Sequence, residues 1–144
     1  MVWYELIISI IACLAAGFIG SFFTRNMSWY KKLKKPSFNP PSYIFAPVWT
    51  ILYILMGISL YLMLNNQLAV ILFIIQLILN VAWSYLFFRL HKLLLASIEI
   101  VILLVMIICT AIASPILASY LLIPYILWVA FATVLTWSVY LLNR

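Results

Sequence analysis

The sequence predicts an all-α membrane protein, a compact bundle of five transmembrane helices that forms one domain over residues 1–144. Three observations support this prediction. The chain is 69% hydrophobic and only 7% charged, a composition outside the range of soluble domains. Its apolar residues fall in five continuous runs, each close to the roughly 20 residues that a spanning helix needs. The connections between these runs are short, which argues against an inserted soluble module.

The five apolar runs are predicted to be helices rather than strands of a membrane barrel. A barrel strand alternates apolar and polar residues, whereas these runs are continuous. In lipid the backbone must satisfy its own hydrogen bonds, which favours helices. The first run lacks a basic start and carries Glu5 there, so we interpret it as an uncleaved helix rather than a signal peptide. The predicted spans are residues 4–24, 46–64, 68–88, 93–113 and 120–142.

The first span carries a stripe of small residues. At 100° per residue, Cys13, Gly17, Gly20 and Thr24 share one face of the helix. Small side chains let helix backbones approach closely. This stripe therefore packs against another helix of the bundle, lines the narrow wall of a pocket, or forms a dimer contact.

The loop that follows the first span is basic and stiffened by proline. Pro36, Pro40 and Pro41 fix φ and remove amide donors, so we expect neither helix nor sheet interior here. Four lysines between residues 31 and 35 keep the loop out of hydrocarbon. Because the loop also carries aromatic side chains such as Tyr30, we predict a rigid cover over a flat apolar ligand.

The second span places Trp49, Tyr53, Met56 and Leu60 on one stripe, directly after Pro47. Two interpretations of its aromatic residues stay open. They line a pocket, or they form an aromatic belt at the membrane interface.

The third span places two amides and two aromatic rings on one stripe: Gln76, Asn80, Trp83 and Phe87. Lipid contact does not explain amides on a helix whose other positions are Ile, Leu and Val. For Gln76 we favour a hydrogen bond that joins helices. For Asn80 and Trp83 periodicity leaves two interpretations open, a contact that joins helices and the lining of a pocket.

The fourth and fifth spans contribute one carboxylate and one aromatic stripe. Glu99 is either a functional carboxylate, protonated or paired with Lys92, or a buried hydrogen-bonding group; we favour the latter. In the fifth span Trp128, Ala132 and Leu135 align, while Trp137 lies almost opposite Trp128.

The inventory of reactive residues excludes most conventional active sites. The chain has one histidine, His91, two acidic residues and two cysteines, Cys13 and Cys109. A catalytic triad, a zinc site and a pair of catalytic carboxylates are therefore not expected. We interpret the cysteines as apolar packing residues and His91 as an interfacial polar residue; the alternative for His91 is a haem ligand or proton relay. No metal and no tightly bound cofactor are expected.

The cations are distributed asymmetrically. All eight Lys and Arg residues lie in loop one after the first span, in loop three between the third and fourth spans (Arg89 and Lys92), or at the C-terminus (Arg144). With five spans these three places lie on one side of the membrane. The positive-inside rule predicts a cytoplasmic C-terminus and an external N-terminus. This asymmetry and anionic lipid headgroups account for the net charge of +6, so we expect no nucleic-acid partner.

Three sequence blocks resemble the TspO/translocator family of tryptophan-rich membrane proteins. They are WYxxLxKPxxxPPxxxFxPVWxxLY from Trp29, QLxLNxxWSxxFF from Gln76, and PYxxWxAFAxxLxxxxxxLN from Pro124. The resemblance implies a five-helix bundle that binds porphyrins and synthetic aromatic ligands, and in animals sterols. It also implies a bacterial cell-membrane protein and a homodimer. The loose sterol pattern Leu135, Tyr140, Arg144 is a weak signal.

The resemblance implies a receptor or carrier for tetrapyrroles such as protoporphyrin IX and haem. The family is also associated with light-dependent oxidative breakdown of protoporphyrin, for which Trp49 is the first candidate residue and Trp137 the second. A transmembrane transporter and a ligand-responsive sensor or scaffold are the alternatives. The expected ligand-binding residues are Tyr30, Pro40, Pro41, Trp49, Tyr53, Asn80, Trp83, Phe87, Trp128, Ala132 and Leu135.

Overall fold

The computed structural model of the chain describes residues 2–24 and 27–144, and these contain five helices long and apolar enough to cross a membrane. Their bounds lie close to the predicted spans, because the length of each apolar run sets the length of its helix. The last helix begins four residues before its predicted start and contains Pro124. The spanning helices are α1 (Trp3–Phe22), α3 (Phe45–Met63), α4 (Gln67–Ser84), α5 (Leu93–Ala113) and α6 (Ile116–Asn143).

Three short helical segments lie at the end of the bundle where most of the cations are found. Loop one, residues 23–44, contains the helix α2 (Ser28–Lys32) and a 3₁₀ turn (Ser42–Ile44). The expectation that loop one contains no helix is wrong for α2, because this helix ends before the first proline of the loop. The end of α4 continues as a π-helical turn (Tyr85–Arg89), in which the Leu90 amide donates to the Tyr85 carbonyl oxygen over 3.0 Å.

The five spanning helices form a closed ring. Contacts run from α1 to α3, then to α6, α5 and α4, and back to α1. A Cβ atom on Gly57 of α3 would lie 2.9 Å from the Ile10 nitrogen, so the α1–α3 contact requires glycine. On the far side, Ser59 donates to the Ala118 carbonyl oxygen over 2.9 Å and joins α3 to α6.

Polarity is distributed as in a membrane protein, with polar side chains inside and large apolar ones outside. Buried residues include Ser9, Ser59, Gln76, Asn80, Ser97, Thr110 and Thr136. Large apolar side chains such as Ile78, Ile112 and Leu127 are more than 60% exposed on the outer surface. Since these would face hydrocarbon, the packing supports the multi-pass arrangement.

The two cysteines have different environments. Cys13 is fully buried among core residues, as expected for a small packing residue. Cys109 instead lies on the exposed outer face of α5, so the interpretation as a packing residue is wrong for this position. Apolar residues occupy every side of α5 around Cys109, so helical periodicity did not show which face of this helix is on the outside of the bundle.

Candidate aromatic ligand site

A cavity of about 340 Å³ lies inside the ring of helices, at the end covered by loop one. All five spanning helices contribute residues to its wall. Its volume lies in the roughly 300–1,000 Å³ range of small-molecule sites. The cavity is therefore large enough to be a ligand site rather than a packing defect.

Two stacked aromatic pairs form much of the cavity wall. On α3, the ring centroids of Trp49 and Tyr53 lie 5.6 Å apart with planes 30° from parallel. On α4 and its π turn, Trp83 and Phe87 lie 5.0 Å apart at 22°. Trp128 of α6 meets Trp49 edge-on at 6.5 Å. Flat rings presented from three helices suit a flat aromatic ligand.

The π turn places more aromatic surface at the cavity than a regular helix would. Phe87 and Phe88 are adjacent in sequence, yet both line the cavity and their centroids lie 4.8 Å apart. A π turn inserts one extra residue, and such turns are frequent at functional sites.

A chain of four hydrogen-bonded side chains supports the polar part of the wall. The Tyr53 hydroxyl donates to Asn80 Oδ1 over 2.5 Å, and Asn80 Nδ2 donates to the Tyr125 hydroxyl over 2.8 Å. Tyr125 then donates to Gln76 Oε1 over 2.7 Å. Tyr53 and Asn80 line the cavity, whereas Tyr125 and Gln76 lie behind them. The interhelical hydrogen bond expected for Gln76 is confirmed.

The small-residue stripe of α1 forms the narrow wall. Gly17, Gly20 and Thr24 line the cavity, and Cys13 packs into the core below them. A Cβ atom on Gly17 would lie 2.5 Å from the Tyr53 ring, so glycine is what allows that ring to occupy its position. The stripe thus faces the bundle interior, and the dimer contact considered for it is wrong.

Loop one covers the mouth of the cavity. Its residue Tyr30 is buried against Phe87 and Phe88, with centroid distances of 6.1 and 5.6 Å. Burial raises the pKa of the Tyr30 hydroxyl, and a hydrogen bond to Asn39 opposes part of this shift. The hydroxyl is therefore neutral at physiological pH. The ammonium of Lys35 lies 4.4 Å above the Tyr30 ring, a cation–π distance.

Asn143 and His91 also contact loop one and help to hold it in place. The Asn143 side chain accepts from the Lys34 amide over 3.0 Å and donates to the Lys34 carbonyl oxygen over 2.8 Å. The ring of Trp29 stacks on His91 at 4.0 Å, with planes 10° apart. His91 is exposed and is not part of the cavity wall.

The structure brings together nine of the eleven expected ligand-binding residues. The exceptions are Pro40 and Pro41, which shape loop one without lining the cavity; Ser42 lines it instead. Trp137 is also outside the wall and meets Tyr140 edge-on at 6.0 Å. That these residues bind a ligand stays a prediction. The cavity is lined by Tyr30, Trp49, Tyr53, Asn80, Trp83, Phe87, Trp128, Ala132 and Leu135, among others.

Sequence reasoning missed Tyr125, which is fully buried and central to the polar chain. It lies next to Pro124 and one turn before Trp128, on the inward side of α6. A tyrosine buried in the middle of a span needs a partner for its hydroxyl, and the two amides of α4 were the available signal. Phe88 and Met27 are further lining residues that were not singled out.

Several buried polar atoms have no hydrogen-bond partner within residues 2–24 and 27–144. They are Gln76 Nε2, Trp83 Nε1 and both carboxylate oxygens of Glu99. The interhelical hydrogen bond favoured for Glu99 is thus not formed with any described residue. Glu99 does not line the cavity, and the same part of the chain contains no cluster of three metal-ligating side chains.

Comparison with known proteins gives one consistent match. Residues 9–142 match the TspO/MBR family. The Tryptophan-rich protein TspO of Archaeoglobus fulgidus is 43% identical, covering 96% of this chain and 97% of that protein. The protein of the same name from Chlorobaculum tepidum is 44% identical over 91% and 90%. The human Translocator protein is 36% identical over 85% and 80%.

Proposed function

This chain belongs to the TspO/MBR family of membrane proteins, and we propose that it is a receptor or carrier that holds a tetrapyrrole between its helices. Protoporphyrin IX and haem are the proposed ligands, and synthetic aromatic compounds are expected to share the site. The observation that carries the proposal is the aromatic cavity beneath loop one. Two stacked pairs and Trp128 offer flat surfaces to a flat macrocycle.

The polar groups of the cavity fit the edge of such a ligand. Asn80 is held by Tyr53 and Tyr125, so its amide has a fixed orientation toward the cavity. Its Oδ1 retains a second lone pair and its Nδ2 a second hydrogen, which leaves one acceptor and one donor for the ligand. A preorganised amide orients a ligand without the entropic cost of ordering a side chain.

The lysines of loop one fit the propionates of a tetrapyrrole. Lys35 lies over Tyr30, which itself lines the cavity, so one ammonium is near the mouth. Lys31, Lys32 and Lys34 are exposed around it. Exposed charges act mainly on encounter rate and orientation, so we assign the lysines to capture and the aromatic rings to affinity.

A second candidate activity is light-dependent oxidation of the bound porphyrin. The excited porphyrin accepts an electron from an adjacent indole and passes it to dioxygen, which becomes superoxide. The indole radical cation then takes an electron from the macrocycle, and the porphyrin radical cation combines with superoxide, so the net step adds dioxygen to the porphyrin and restores the indole. Trp49 supports this assignment because it lines the cavity, whereas Trp137 lies outside the wall and is the weaker candidate. The step needs no acid–base residue, in keeping with the sparse inventory of such groups.

Orientation, cellular location and assembly complete the proposal. Asn143 bonds to loop one, which supports a common side for loop one and the C-terminus. We assign that side to the cytoplasm of a bacterial cell. A reporter fused after Arg144 should be cytoplasmic, and an external signal would contradict the assignment.

A homodimer would use an outer face of the bundle, because the small-residue stripe of α1 faces inward.

Titration of the purified protein with protoporphyrin IX in lipid nanodiscs tests the proposed ligand. Tryptophan quenching should saturate at one porphyrin per chain, and a competing synthetic aromatic ligand should reverse it. Quenching without saturation would contradict a defined site.

Two other measurements test the alternative functions. Flux of porphyrin into sealed vesicles would favour the transporter, and a partner protein that binds only in the presence of ligand would favour the sensor or scaffold.

A further inference from the structure

A second depression lies on the outside of the bundle, at the end that carries loop one, loop three (residues 90–92) and the C-terminus. It is an open groove of about 480 Å³ between the start of α5 and the last turns of α6. Its upper part is lined by His91, Lys92 and Arg144, and its lower part by leucine and isoleucine side chains. We call it the basic groove.

The cations of the basic groove have no acidic partner nearby. The chain has two acidic residues, and neither is in the loops at this end. Glu5 lies in the first turn of α1, at the opposite end of the bundle. Glu99 is buried and lies seven residues after Lys92, roughly 10 Å along the helix axis. No acidic side chain therefore lies close enough to neutralise Lys92 and Arg144, and both are open to an external anion.

Two further polar residues of the groove, Asn143 and His91, are already engaged. Asn143 uses its side chain on Lys34 and on the Val139 carbonyl oxygen. His91 is stacked on Trp29. These contacts fix the shape of the groove and leave Lys92 and Arg144, both exposed, as the groups that recognise charge.

The lower part of the basic groove is apolar and faces outward. Leu94, Leu95 and Ile98 are 46%, 47% and 44% exposed on the first turns of α5. In a spanning helix these positions contact hydrocarbon. Lys92 lies at the start of α5 and Arg144 at the end of α6, where lipid headgroups are found. Cations above and an apolar channel below match an amphiphile with an anionic head.

We propose that the basic groove binds one anionic phospholipid. Its phosphate lies between Lys92 and Arg144, and one acyl chain follows Leu94 and Ile98. Basic pockets between helices at a membrane surface are suited to such headgroups. The groove overlaps the loose sterol pattern without coinciding with it, because Tyr140 and Arg144 of that pattern line the groove whereas Leu135 lines the aromatic cavity.

Native mass spectrometry tests the proposal with palmitoyl-oleoyl phosphatidylglycerol, using the phosphatidylcholine of the same chains as comparison. At about 1 kcal/mol for each of two cations, the anionic lipid should bind roughly 30-fold more tightly. Lys92→Gln with Arg144→Gln should abolish this preference. The matched control, Lys31→Gln with Lys32→Gln, removes two exposed cations outside the groove and should retain it.

Two further arms distinguish a lipid site from general attraction of anions. Ile98→Trp keeps every charge and fills the channel, so it should weaken the bound lipid at least tenfold. Inorganic phosphate at millimolar concentration should not displace the lipid, because it lacks the acyl chain. Equal losses in both glutamine pairs, full displacement by phosphate, or equal binding of the two lipids would overturn the proposal. Helical circular dichroism checks that each variant is folded, and the test does not depend on tetrapyrrole binding.

Discussion

The hydroxyl of Tyr53 on α3 donates to Oδ1 of Asn80 on α4 over 2.5 Å, at the wall of the aromatic cavity. Through Asn80 the connection reaches Tyr125 on α6, so three helices meet in one polar chain. The hydrogen-bonded side chains combine two roles, because the groups that join the helices also set the direction in which the Asn80 amide faces the cavity.

Replacement of Tyr125 by phenylalanine should lower both stability and affinity. The change removes one hydroxyl and leaves Asn80 Nδ2 and Gln76 Oε1 without their partner. We expect a loss of about 1–2 kcal/mol in unfolding free energy, and weaker porphyrin binding although Tyr125 does not line the cavity. Titration of helicity with a denaturing detergent gives the stability. Tyr120→Phe, on the same helix and 59% exposed, is the control and should change neither quantity.

Removal of a cavity tryptophan should weaken ligand binding directly. Trp49→Ala or Trp83→Ala deletes one member of a stacked pair, and we expect a loss of roughly 1–3 kcal/mol in protoporphyrin affinity. Lys34→Ala should cost less, and its effect should shrink in high salt. Fluorescence titration measures all three. Trp3→Ala, 69% exposed on α1, controls for the loss of a tryptophan. Unchanged affinity in both cavity variants would place the ligand elsewhere.

Two glycines on neighbouring helices should respond oppositely to the same substitution. Gly57→Ala places a methyl group against the Ile10 backbone and should separate α1 from α3, at a cost of about 1–3 kcal/mol. Gly20→Ala meets nothing closer than Ser84 Oγ at 3.6 Å and should be neutral or slightly stabilising. Thermal unfolding followed by circular dichroism compares the two. If Gly57→Ala is as stable as the parent protein, the close α1–α3 contact is not required.

Porphyrin degradation, if the protein performs it, should require both light and dioxygen. We expect Trp49→Phe to slow the loss of the porphyrin absorption band more than Trp137→Phe, because Trp49 lines the cavity and Trp137 does not. His91→Ala and Glu99→Gln should leave the rate unchanged, since neither residue reaches the cavity wall. Steady turnover in the dark would contradict the photochemical assignment. Loss no faster than that of free porphyrin in detergent would leave binding or transport as the function.

The spans and most of the cavity wall follow from the sequence, for simple physical reasons. Bilayer thickness sets the length of each apolar run, and helical periodicity put Asn80, Trp83 and Phe87 on one face. Where periodicity ends, prediction failed: the π turn adds Phe88 to the wall, and no pattern marks a π turn in advance. The orientation of the proline loop was likewise not accessible, because Pro40 and Pro41 fix the backbone without saying which side chains turn inward.

The pairing of Lys34 with Asn143 has a consequence for how the protein is made. The two residues are 109 positions apart in the chain. At about 5–20 residues per second, the ribosome completes the second partner roughly 5–20 s after the first. Throughout that interval loop one lacks the Asn143 contact, although the partners of Trp29 and Tyr30 are made before it ends. The cover of the cavity therefore reaches its final set of contacts only when the last turn of α6 has been made.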